Sequence, residues 1–495
     1  MMPANNCLAN GQTVIEDTFF GLVNWEGRYL TAEKFGNQIN VRGAALRKKQ
    51  HWTLVQDQDT GPDKGYLMSI YGTMIETDKH GNVACEATEK TQQALLEVCI
   101  QSDGQWALRD IYGKYLAGNS NRLYFTSDQR ITGEAVWAIH IALHPQVNMR
   151  SVSRKRYVHL EDDEMVANED IPWGPDAVII LEFQSKKYAL RDSRGMYLDG
   201  ETGDLVEKCT DSCLFVISLH KNLFAFTGIN GKYLTVYGPK GRLVANKTSI
   251  GKDEVFALED SKTQVILTAS NGKKLSIKQG IDVKANQSEA EDTETFQIEF
   301  LGGKLSTISM LATNGKFWSA ANKSITATAK EVDPSAKFSL EWHDGNKVAF
   351  KASNGKYISS TSGGQLQPIQ EKADESALFL FQLVNRPTLV LRCEHGYVDK
   401  TASSKILCNR GSYDLIRLVN KGTLYQIGTS NGKFWCVDDD GSLVSKPNGE
   451  LFTLELREHT KVVIKASNGN YLKGDHNGSI TACAESVSDC TSWEL

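Results

Sequence analysis

The sequence predicts an all-β protein built from four tandem β-trefoil domains. Three observations support this fold class: a short pattern recurs twelve times, Pro is scarce, and no long stretch has helical periodicity. The pattern returns about every 40 residues, a period typical of repeat architectures. With four strands in each repeat and three repeats in each domain, a domain has twelve strands in about 120 residues. These numbers match a β-trefoil, which is a six-stranded barrel closed by three hairpins.

The recurring pattern is a turn ending in Gly, then a variable residue, an aromatic residue and an aliphatic residue. Asn-Gly and related pairs supply the positive φ of a tight turn, so each copy predicts a hairpin. The clearer copies are Gly27–Leu30, Gly113–Leu116, Gly195–Leu198, Gly231–Leu234, Gly315–Trp318, Gly355–Ile358, Gly432–Trp435 and Gly469–Leu472. The weaker copies are Gly72–Ile75, Lys155–Val158, Gly272–Leu275 and His395–Val398.

The second half of each repeat is a strand with an aromatic and an aliphatic residue two positions apart. Such residues face the same side of a strand and can fill a core. Examples are Trp52–Leu54, Trp137–Ile139, Phe256–Leu258, Phe296–Ile298, Phe338–Leu340 and Phe452–Leu454. Propeller blades also have four strands and a similar period. The chain lacks the Trp-Asp and kelch-type signatures of propellers, which favours trefoils.

The domain boundaries are predicted after the third, sixth and ninth repeats, near His144, Lys262 and Asn385. This division gives domains 1–144, 145–262, 263–385 and 386–495, with residues 1–18 expected to form a flexible tail. The junctions contain no Gly-, Ser- or Pro-rich linker. We therefore expect the domains to pack tightly as one rigid body.

The composition excludes several functional classes. The net charge of −5 argues against bulk binding to nucleic acid. No apolar run approaches the roughly 18 residues needed to span a membrane, and the N-terminal sequence has no secretion signal. The ten cysteines are scattered without a CxxC pair, so we expect reduced thiols and a cytoplasmic protein.

Several segments resemble fascins. They are Gly21–Asn24, Tyr29–Glu33, Ala45–Trp52, His144–Asn148, Gln279–Gly280, Ala285–Gln287, Arg392–Gly396 and Tyr471–His476. The resemblance runs through all four domains in order. Fascins are cytosolic proteins of four trefoils that bundle actin filaments into tight parallel arrays in filopodia and related protrusions. The resemblance therefore implies F-actin as partner, at least two filament-binding surfaces per monomer, and a place in the actin cytoskeleton.

The resemblance also implies a first filament-binding surface formed by the first and last domains. Its candidate residues are Arg28, Arg42, Arg47, Lys48, Lys49, Arg392, Glu394, His395, Lys400, Lys473, Asp475 and His476. Without the resemblance, the cluster from Arg42 to Lys49 reads as an ordinary solvated loop. A lysine used by the family falls on Ala402, so Lys400 or Lys405 would have to replace it.

A second surface is implied by the basic run that follows the first domain. Its candidates are His144, Gln146, Arg150, Arg154, Lys155 and Arg156. The alternative is a charged strand edge that discourages aggregation. A third family site uses lysines in a turn of the third domain. Here residues 361–364 read Thr-Ser-Gly-Gly, so we expect little from that position.

Regulation by phosphorylation is predicted to differ from that of relatives. In fascins the basic segment of the first domain carries a serine that protein kinase C phosphorylates, which weakens binding. Ala44 and Ala45 occupy the corresponding positions here. Ser276, followed by Ile277 and Lys278, matches a phosphorylatable position of some fascins and a basic-directed kinase site, and is the remaining candidate.

Other functions find less support in the sequence. The chain has no GxGxxG, P-loop or HExxH motif, and Glu394 and His395 are adjacent, so they would point to opposite faces of a strand. We therefore predict no enzyme activity, cofactor or metal site. A carbohydrate-binding trefoil remains the alternative, although only Gln50–Trp52 fits the Gln-X-Trp motif of ricin-type lectins. A secreted heparin-binding trefoil would need a secretion signal and an excess of basic residues, and the sequence shows neither.

Overall fold

The computed structural model describes residues 18–36, 38–56, 61, 63–126, 130–220, 222–302, 307–321 and 323–495. The expected flexible tail, residues 1–18, lies outside this range except for its last residue. The described residues form four sheets of 12, 12, 12 and 13 strands, with short 3₁₀ turns and no α-helix among them. These sheets define domains 1 to 4 and confirm the predicted all-β fold.

The strands follow one another at short intervals. Domain 1 has β1 (Phe20–Val23), β2 (Tyr29–Ala32), β3 (Ile39–Gly43), β4 (Trp52–Gln56), β5 (Lys64–Ser69), β6 (Met74–Thr77), β7 (Val83–Ala87), β8 (Leu95–Ile100), β9 (Trp106–Arg109), β10 (Tyr115–Gly118), β11 (Leu123–Thr126) and β12 (Ala138–Ile141). Domain 2 has β13 (Gln146–Ser151), β14 (Tyr157–Glu161), β15 (Glu164–Glu169), β16 (Ile179–Gln184), β17 (Lys187–Arg191), β18 (Tyr197–Leu198), β19 (Leu205–Val206), β20 (Leu214–His220), β21 (Leu223–Thr227), β22 (Tyr233–Tyr237), β23 (Arg242–Lys247) and β24 (Phe256–Asp260).

The second half of the chain repeats this arrangement. Domain 3 has β25 (Gln264–Thr268), β26 (Lys274–Ser276), β27 (Lys284–Gln287), β28 (Thr295–Phe300), β29 (Thr307–Ala312), β30 (Phe317–Ser319), β31 (Thr326–Ala329), β32 (Phe338–His343), β33 (Lys347–Lys351), β34 (Tyr357–Ser360), β35 (Leu366–Gln370) and β36 (Phe379–Leu383). Domain 4 has β37 (Thr388–Leu389), β38 (Arg392–Cys393), β39 (Gly396–Lys400), β40 (Ile406–Arg410), β41 (Ile416–Lys421), β42 (Leu424–Gly428), β43 (Phe434–Val437), β44 (Leu443–Lys446), β45 (Leu451–Glu458), β46 (Lys461–Lys465), β47 (Tyr471–Gly474), β48 (Ile480–Ala484) and β49 (Trp493–Glu494). The 3₁₀ turns are Lys48–Gln50, Gln92–Ala94, Gly133–Ala135, Pro175–Ala177, Asp211–Cys213, Lys252–Glu254, Asp292–Glu294, Pro334–Ala336 and Glu375–Ala377.

The pairing of these strands is that of a β-trefoil. In domain 3, β25, β28, β29, β32, β33 and β36 pair in a closed ring, because β36 pairs with both β33 and β25. The hairpins β26–β27, β30–β31 and β34–β35 cap this barrel. In domain 4 the first barrel strand is broken: β37 pairs with β41, and β38 pairs with β49. The break accounts for the thirteenth strand.

Each cap hairpin begins at a copy of the recurring pattern. In the copy that leads into β34, Gly355 has a φ of 79°, which a residue with a Cβ adopts only at a cost. The preceding Asn354 accepts a hydrogen bond from the Lys356 N–H and donates from Nδ2 to the Pro368 carbonyl at 3.0 Å. The turn is thereby attached to the far strand of its own hairpin. The equivalent bonds of Asn271, Asn314 and Asn468 repeat this geometry.

Aromatic and aliphatic side chains fill the barrels. Trp52 and Trp137 are buried in domain 1, Trp318 in domain 3, and Trp435 and Trp493 in domain 4. Burying a large apolar side chain stabilises a fold by roughly 1.5–3 kcal/mol. The buried side chains of domains 3 and 4 form one continuous cluster, whereas those of domains 1 and 2 form separate clusters. Domains 3 and 4 therefore share an apolar contact that spans both barrels.

The connections between consecutive sheets are short. They comprise residues 142–145, 261–263 and 384–387. Their polar side chains are largely buried and bonded across the junctions: the Asn385 Nδ2 donates to the Lys262 carbonyl at 2.7 Å, and Thr263 donates to the His459 carbonyl at 2.8 Å. We propose His144, Lys262 and Asn385 as the domain boundaries, because each lies in one of these connections.

Candidate functional site

The candidate residues of the first surface lie on domains 1 and 4, and many of them are exposed. Arg28 follows the turn that precedes β2, where its N–H donates to the Asn24 side chain at 2.8 Å. Arg42 projects from β3, and Lys48 and Lys49 begin the following 3₁₀ turn. All four are exposed to solvent. The Lys49 ammonium donates to the Glu33 carboxylate at 2.5 Å, and this hydrogen bond raises the pKa of Lys49.

Arg47 connects the two domains. Its Nη2 donates to the Asn409 carbonyl at 2.6 Å, and the Asn409 side chain in turn donates to the Asn477 carbonyl at 2.9 Å. Close by, Gly411 lies against Ala45, because a Cβ added to the glycine would come within 3.0 Å of the alanine Cβ. The two alanines in place of serines are thus part of a domain contact: Ala45 is buried, whereas Ala44 remains exposed.

The domain 4 candidates surround a pair of histidine rings. The rings of His395 and His476 meet edge to face, with centroids 5.9 Å apart. Glu394, Lys473, Asp475 and His476 are exposed, and His395 is partly covered. The structure therefore brings together Arg47, His395 and His476 through the strands and turns around Asn409 and Asn477.

Arg392 forms an ion pair inside domain 4. Its guanidinium makes two hydrogen bonds to Glu494, at 2.9 and 2.7 Å, and contacts the Leu143 carbonyl at 3.4 Å. Burial opposes its charge, but the Glu494 carboxylate outweighs this effect and raises the pKa of Arg392. Burial likewise opposes the Glu494 charge, and Arg392 outweighs it and lowers the pKa of Glu494. Because the side chain is held within domain 4 and contacts the connection that follows domain 1, we do not include Arg392 in the first surface proposed below.

Lys400 is also committed to an internal contact. Its ammonium donates to Asp414 at 2.7 Å and to the Ser430 hydroxyl at 2.5 Å, and the Asp414 side chain is only 3% exposed. Removing Lys400 from this pair would leave a buried carboxylate unpaired, which is costly. We therefore do not include Lys400 in the first surface proposed below. Lys405, which immediately precedes β40, is an exposed charge near Ala402.

Three histidines that flank the Arg392–Glu494 pair were not fully anticipated. Burial is the main reason that the pKa values of His51, His140 and His144 are low. The Arg392 charge also acts on all three, and the Glu494 charge acts on His51 and His144. Burial and the Arg392 charge lower the pKa of His51 to about 4 and that of His140 to about 3. A cleft of about 200 Å³ opens beside His140 and His144. In the sequence, only the position of His51 next to a core Trp indicated burial.

The first two residues of the second candidate surface are buried. His144 Nε2 lies 3.1 Å from the Val390 carbonyl, and Gln146 donates from Nε2 to the Thr388 carbonyl at 2.8 Å. Burial, opposed in part by Glu494, lowers the pKa of His144 to about 3. The Gln146 Oε1 accepts the Val390 N–H at 2.8 Å. Both side chains are bonded to the backbone of domain 4, so we do not include His144 and Gln146 in the second surface proposed below.

The basic residues of the second surface have mixed environments. The Arg150 guanidinium lies over the ring of Tyr157, its cross-strand partner, at 5.6 Å from the centroid. Arg154 donates to the Gly238 and Pro239 carbonyls, and Arg156 forms an ion pair with Asp170. Lys155 stands exposed at the tip of the turn, in the left-handed region with a φ of 55°. It is the most accessible charge of this group.

The phosphorylation candidate is enclosed by its strand. Ser276 ends β26, is 2% exposed, and its hydroxyl accepts the Lys278 N–H at 2.9 Å. A kinase needs the hydroxyl in solution, so phosphorylation of Ser276, which stays a prediction, would require β26 to open locally. The turn at residues 361–364 lacks lysine, as the sequence shows.

A cluster of metal ligands and a helix able to span a membrane are both absent from the described residues. Among them, no three side chains of His, Cys, Asp or Glu are grouped as metal ligands would be. Nor does any helix in the described part of the chain have the length and apolarity to cross a membrane.

Comparison with known proteins decides the family. A family model described as "Fascin domain" matches residues 26–139, 147–258, 270–381 and 393–495. The chain is 37% identical to Fascin-2 of Mus musculus over 492 residues, which cover 98% of this chain and 99% of that relative. The chain belongs to the fascin family. It is also 35% identical to Fascin of Strongylocentrotus purpuratus over 496 residues, covering 96% of this chain and 98% of that protein.

A more distant fascin and a solved structure also match the chain. Fascin-3 of Mus musculus is 23% identical over 490 residues, covering 97% of each chain. Among solved structures, a designed threefold-symmetric protein, ThreeFoil, is 16% identical with a TM-score of 0.22, covering 24% of this fascin and 97% of that chain. The resemblance to fascins stated from short segments is therefore confirmed along the whole chain.

Proposed function

We propose that this fascin cross-links actin filaments into tight parallel bundles, in filopodia and similar protrusions of the cytoplasm. The observation that carries the proposal is the full-length family match, which extends through all four domains. Bundling requires at least two filament-binding surfaces on one particle. Two groups of exposed basic side chains, on different domains, supply candidates for these surfaces.

The first surface combines domains 1 and 4. Arg28, Arg42, Lys48 and Lys49 contribute positive charge from domain 1, and Lys473 contributes it from domain 4. Actin filaments are acidic, so these side chains attract the filament, and Arg47 fixes the two domains relative to each other. Exposed ion pairs each contribute about 1 kcal/mol or less. Binding should therefore be modest in affinity and weaken with added salt.

The second surface is centred on Lys155 in domain 2. Arg154 and Arg156 flank it, but their contacts with the Pro239 carbonyl and with Asp170 reduce the charge that they can offer to a filament. We therefore assign the second surface mainly to Lys155. A monomer carrying both surfaces needs no dimerisation to join two filaments.

The carbohydrate-binding alternative is not favoured by the geometry. In the Gln50–Trp52 tripeptide, the indole N–H donates to the Leu30 carbonyl at 2.9 Å and the Gln50 amide donates to Thr31 at 2.9 Å. Both side chains are buried. The tripeptide therefore serves the core of domain 1 and offers no exposed aromatic face to a sugar.

Charge reversal at one residue of each surface tests the proposal. Lys473→Glu and Lys155→Glu should each reduce low-speed pelleting of actin bundles strongly, because a cross-link fails when either end fails. High-speed pelleting, which reports binding to single filaments, should fall only in part. The double variant should lose both, and raising the salt concentration should mimic it.

Lys421→Glu is the matched control, since Lys421 is an exposed lysine of domain 4 outside both candidate surfaces. It should bind and bundle as the unmodified protein does. A strictly proportional loss of binding and bundling in every variant would contradict the two-surface proposal and indicate a single-site protein that dimerises. Absence of any pelleting by the unmodified protein would refute actin binding itself.

A further inference from the structure

Two thiols lie together directly beneath the first surface. Cys393 ends β38 and Cys408 lies in the middle of β40; both are free thiols and pack in the same apolar cluster of domain 4. The Cys393 thiol points at the Cys408 carbonyl, 3.6 Å away. We propose that Cys393 and Cys408 are a peroxide-responsive thiol pair that closes reversibly to a disulfide.

The two thiols differ in exposure and in the direction in which their pKa values are shifted. Cys393 is partly exposed, whereas Cys408 is buried. Hydrogen bonds from the Cys408 thiol, and then from the backbone N–H groups of His395 and Gly396, lower the pKa of Cys393. The same contact with Cys393, together with burial, raises the pKa of Cys408. A partly exposed thiol with a lowered pKa beside a buried thiol is the arrangement found in redox-sensing pairs.

The chemistry balances with a hydroperoxide as oxidant. The Cys393 thiolate attacks one oxygen of hydrogen peroxide, the O–O bond breaks, and hydroxide leaves to become water, which produces a sulfenic acid. The Cys408 sulfur then attacks the Cys393 sulfur, the S–O bond breaks, and the second water departs with the Cys408 proton. Two thiols and one peroxide thus give one disulfide and two waters, and a cytoplasmic thiol reductant reverses the step.

The position of the pair connects it to the first surface. Cys393 is followed by Glu394 and His395, and Cys408 is followed by Asn409, whose carbonyl accepts the bond from Arg47. Cys408 also contacts the Asp475 carbonyl at 3.9 Å. A disulfide would draw Cys408 away from that carbonyl and shift Asn409. We therefore expect oxidation to weaken filament cross-linking, a consequence that rests on the proposed function.

Peptide mapping of the folded full-length protein tests the pair. After brief treatment with hydrogen peroxide and blocking of the remaining thiols with N-ethylmaleimide, trypsin should release residues 393–400 joined to residues 406–410. Dithiothreitol should separate the two peptides. Cys408→Ala should trap Cys393 as a sulfenic acid that dimedone labels, and Cys393→Ser should leave Cys408 fully reactive with maleimide after unfolding.

Cys209 and Cys213, which also interact with each other, and the exposed Cys483 are internal references. If these oxidise while Cys393 and Cys408 remain alkylated, or if the joined peptide forms only in urea, the thiol pair is refuted. If the joined peptide forms but reduced and oxidised protein bundle actin equally, the control of the first surface is refuted. Both results can be distinguished from a failure of the proposed function. In that case the reduced protein itself would not pellet with actin filaments.

Discussion

The ion pair of Arg392 with Glu494 should stabilise domain 4, where it joins the paired strands β38 and β49. Arg392→Ala leaves a mostly buried carboxylate without its partner, and breaking such a pair costs about 3–5 kcal/mol; partial exposure of both side chains places the expected loss near the lower end. Urea unfolding should show this as a lower midpoint. Arg28→Ala, at an exposed arginine, should change the free energy of unfolding by about 0.5 kcal/mol or less. Equal stability of the two variants would contradict the structural role of Arg392.

At the scale of single residues, the sequence predicted where charges lie but not which charges are free. Arg392 and Lys473 are equally good candidates for a filament contact in the sequence. In the structure, Arg392 is bonded to Glu494, whereas Lys473 is exposed. The partner of Arg392 lies 102 positions away. Such a contact arises only when β38 and β49 meet in the closed barrel, so no local pattern could indicate it.

At the scale of the hairpin, the turn asparagine should hold its two strands in register. Asn354→Ala removes the bond to the Pro368 carbonyl, and losing one hydrogen bond of this kind costs about 1 kcal/mol. Hydrogen exchange in β34 and β35 should quicken while the rest of domain 3 is unaffected. Ser353→Ala, at the neighbouring exposed turn position, is the control and should exchange as the unmodified protein does. Uniformly faster exchange across the domain would contradict a local role.

The elements themselves were largely predictable, because each copy of the repeat carries its own turn residues and its own pair of core residues. The broken first strand of domain 4 was not. Val390 lies between β37 and β38. Its N–H and carbonyl bond to Gln146, the first residue of β13, and to His144 in the preceding connection. Two side chains from outside domain 4 thus replace a ladder partner, and repeat patterns contain no information about that exchange.

At the scale of the whole molecule, acid should loosen the junction of domains 1, 2 and 4. His51, His140 and His144 have pKa values of about 4, 3 and 3 in the folded protein, against about 6.5 when unfolded. Below pH 6.5 the unfolded chain therefore binds more protons, so stability is complete above that pH and falls as the pH decreases towards 4. Each histidine contributes a loss of up to about 1.4 kcal/mol per pH unit in this window.

Urea unfolding at pH 7.0 and 5.5 measures this dependence. His144→Gln should make the decrease shallower, because one of the three titrating groups is gone. His80→Gln, at an exposed histidine of domain 1, should leave the slope unchanged. Stability that is constant between the two pH values would show that the three imidazoles are hydrated in the folded protein.

The short, buried connections between the barrels have a consequence for assembly. Only three or four residues connect consecutive sheets, and side chains such as Asn385 and Thr263 are bonded across the junctions. We therefore expect the particle to behave as a rigid cross-linker of fixed length. A flexible cross-linker would accept filaments at many separations and angles. A rigid cross-linker sets one distance and one relative rotation between two filaments, so each added molecule repeats the geometry of the one before it. Ordered lattices of evenly spaced filaments, rather than loose networks, are the expected product.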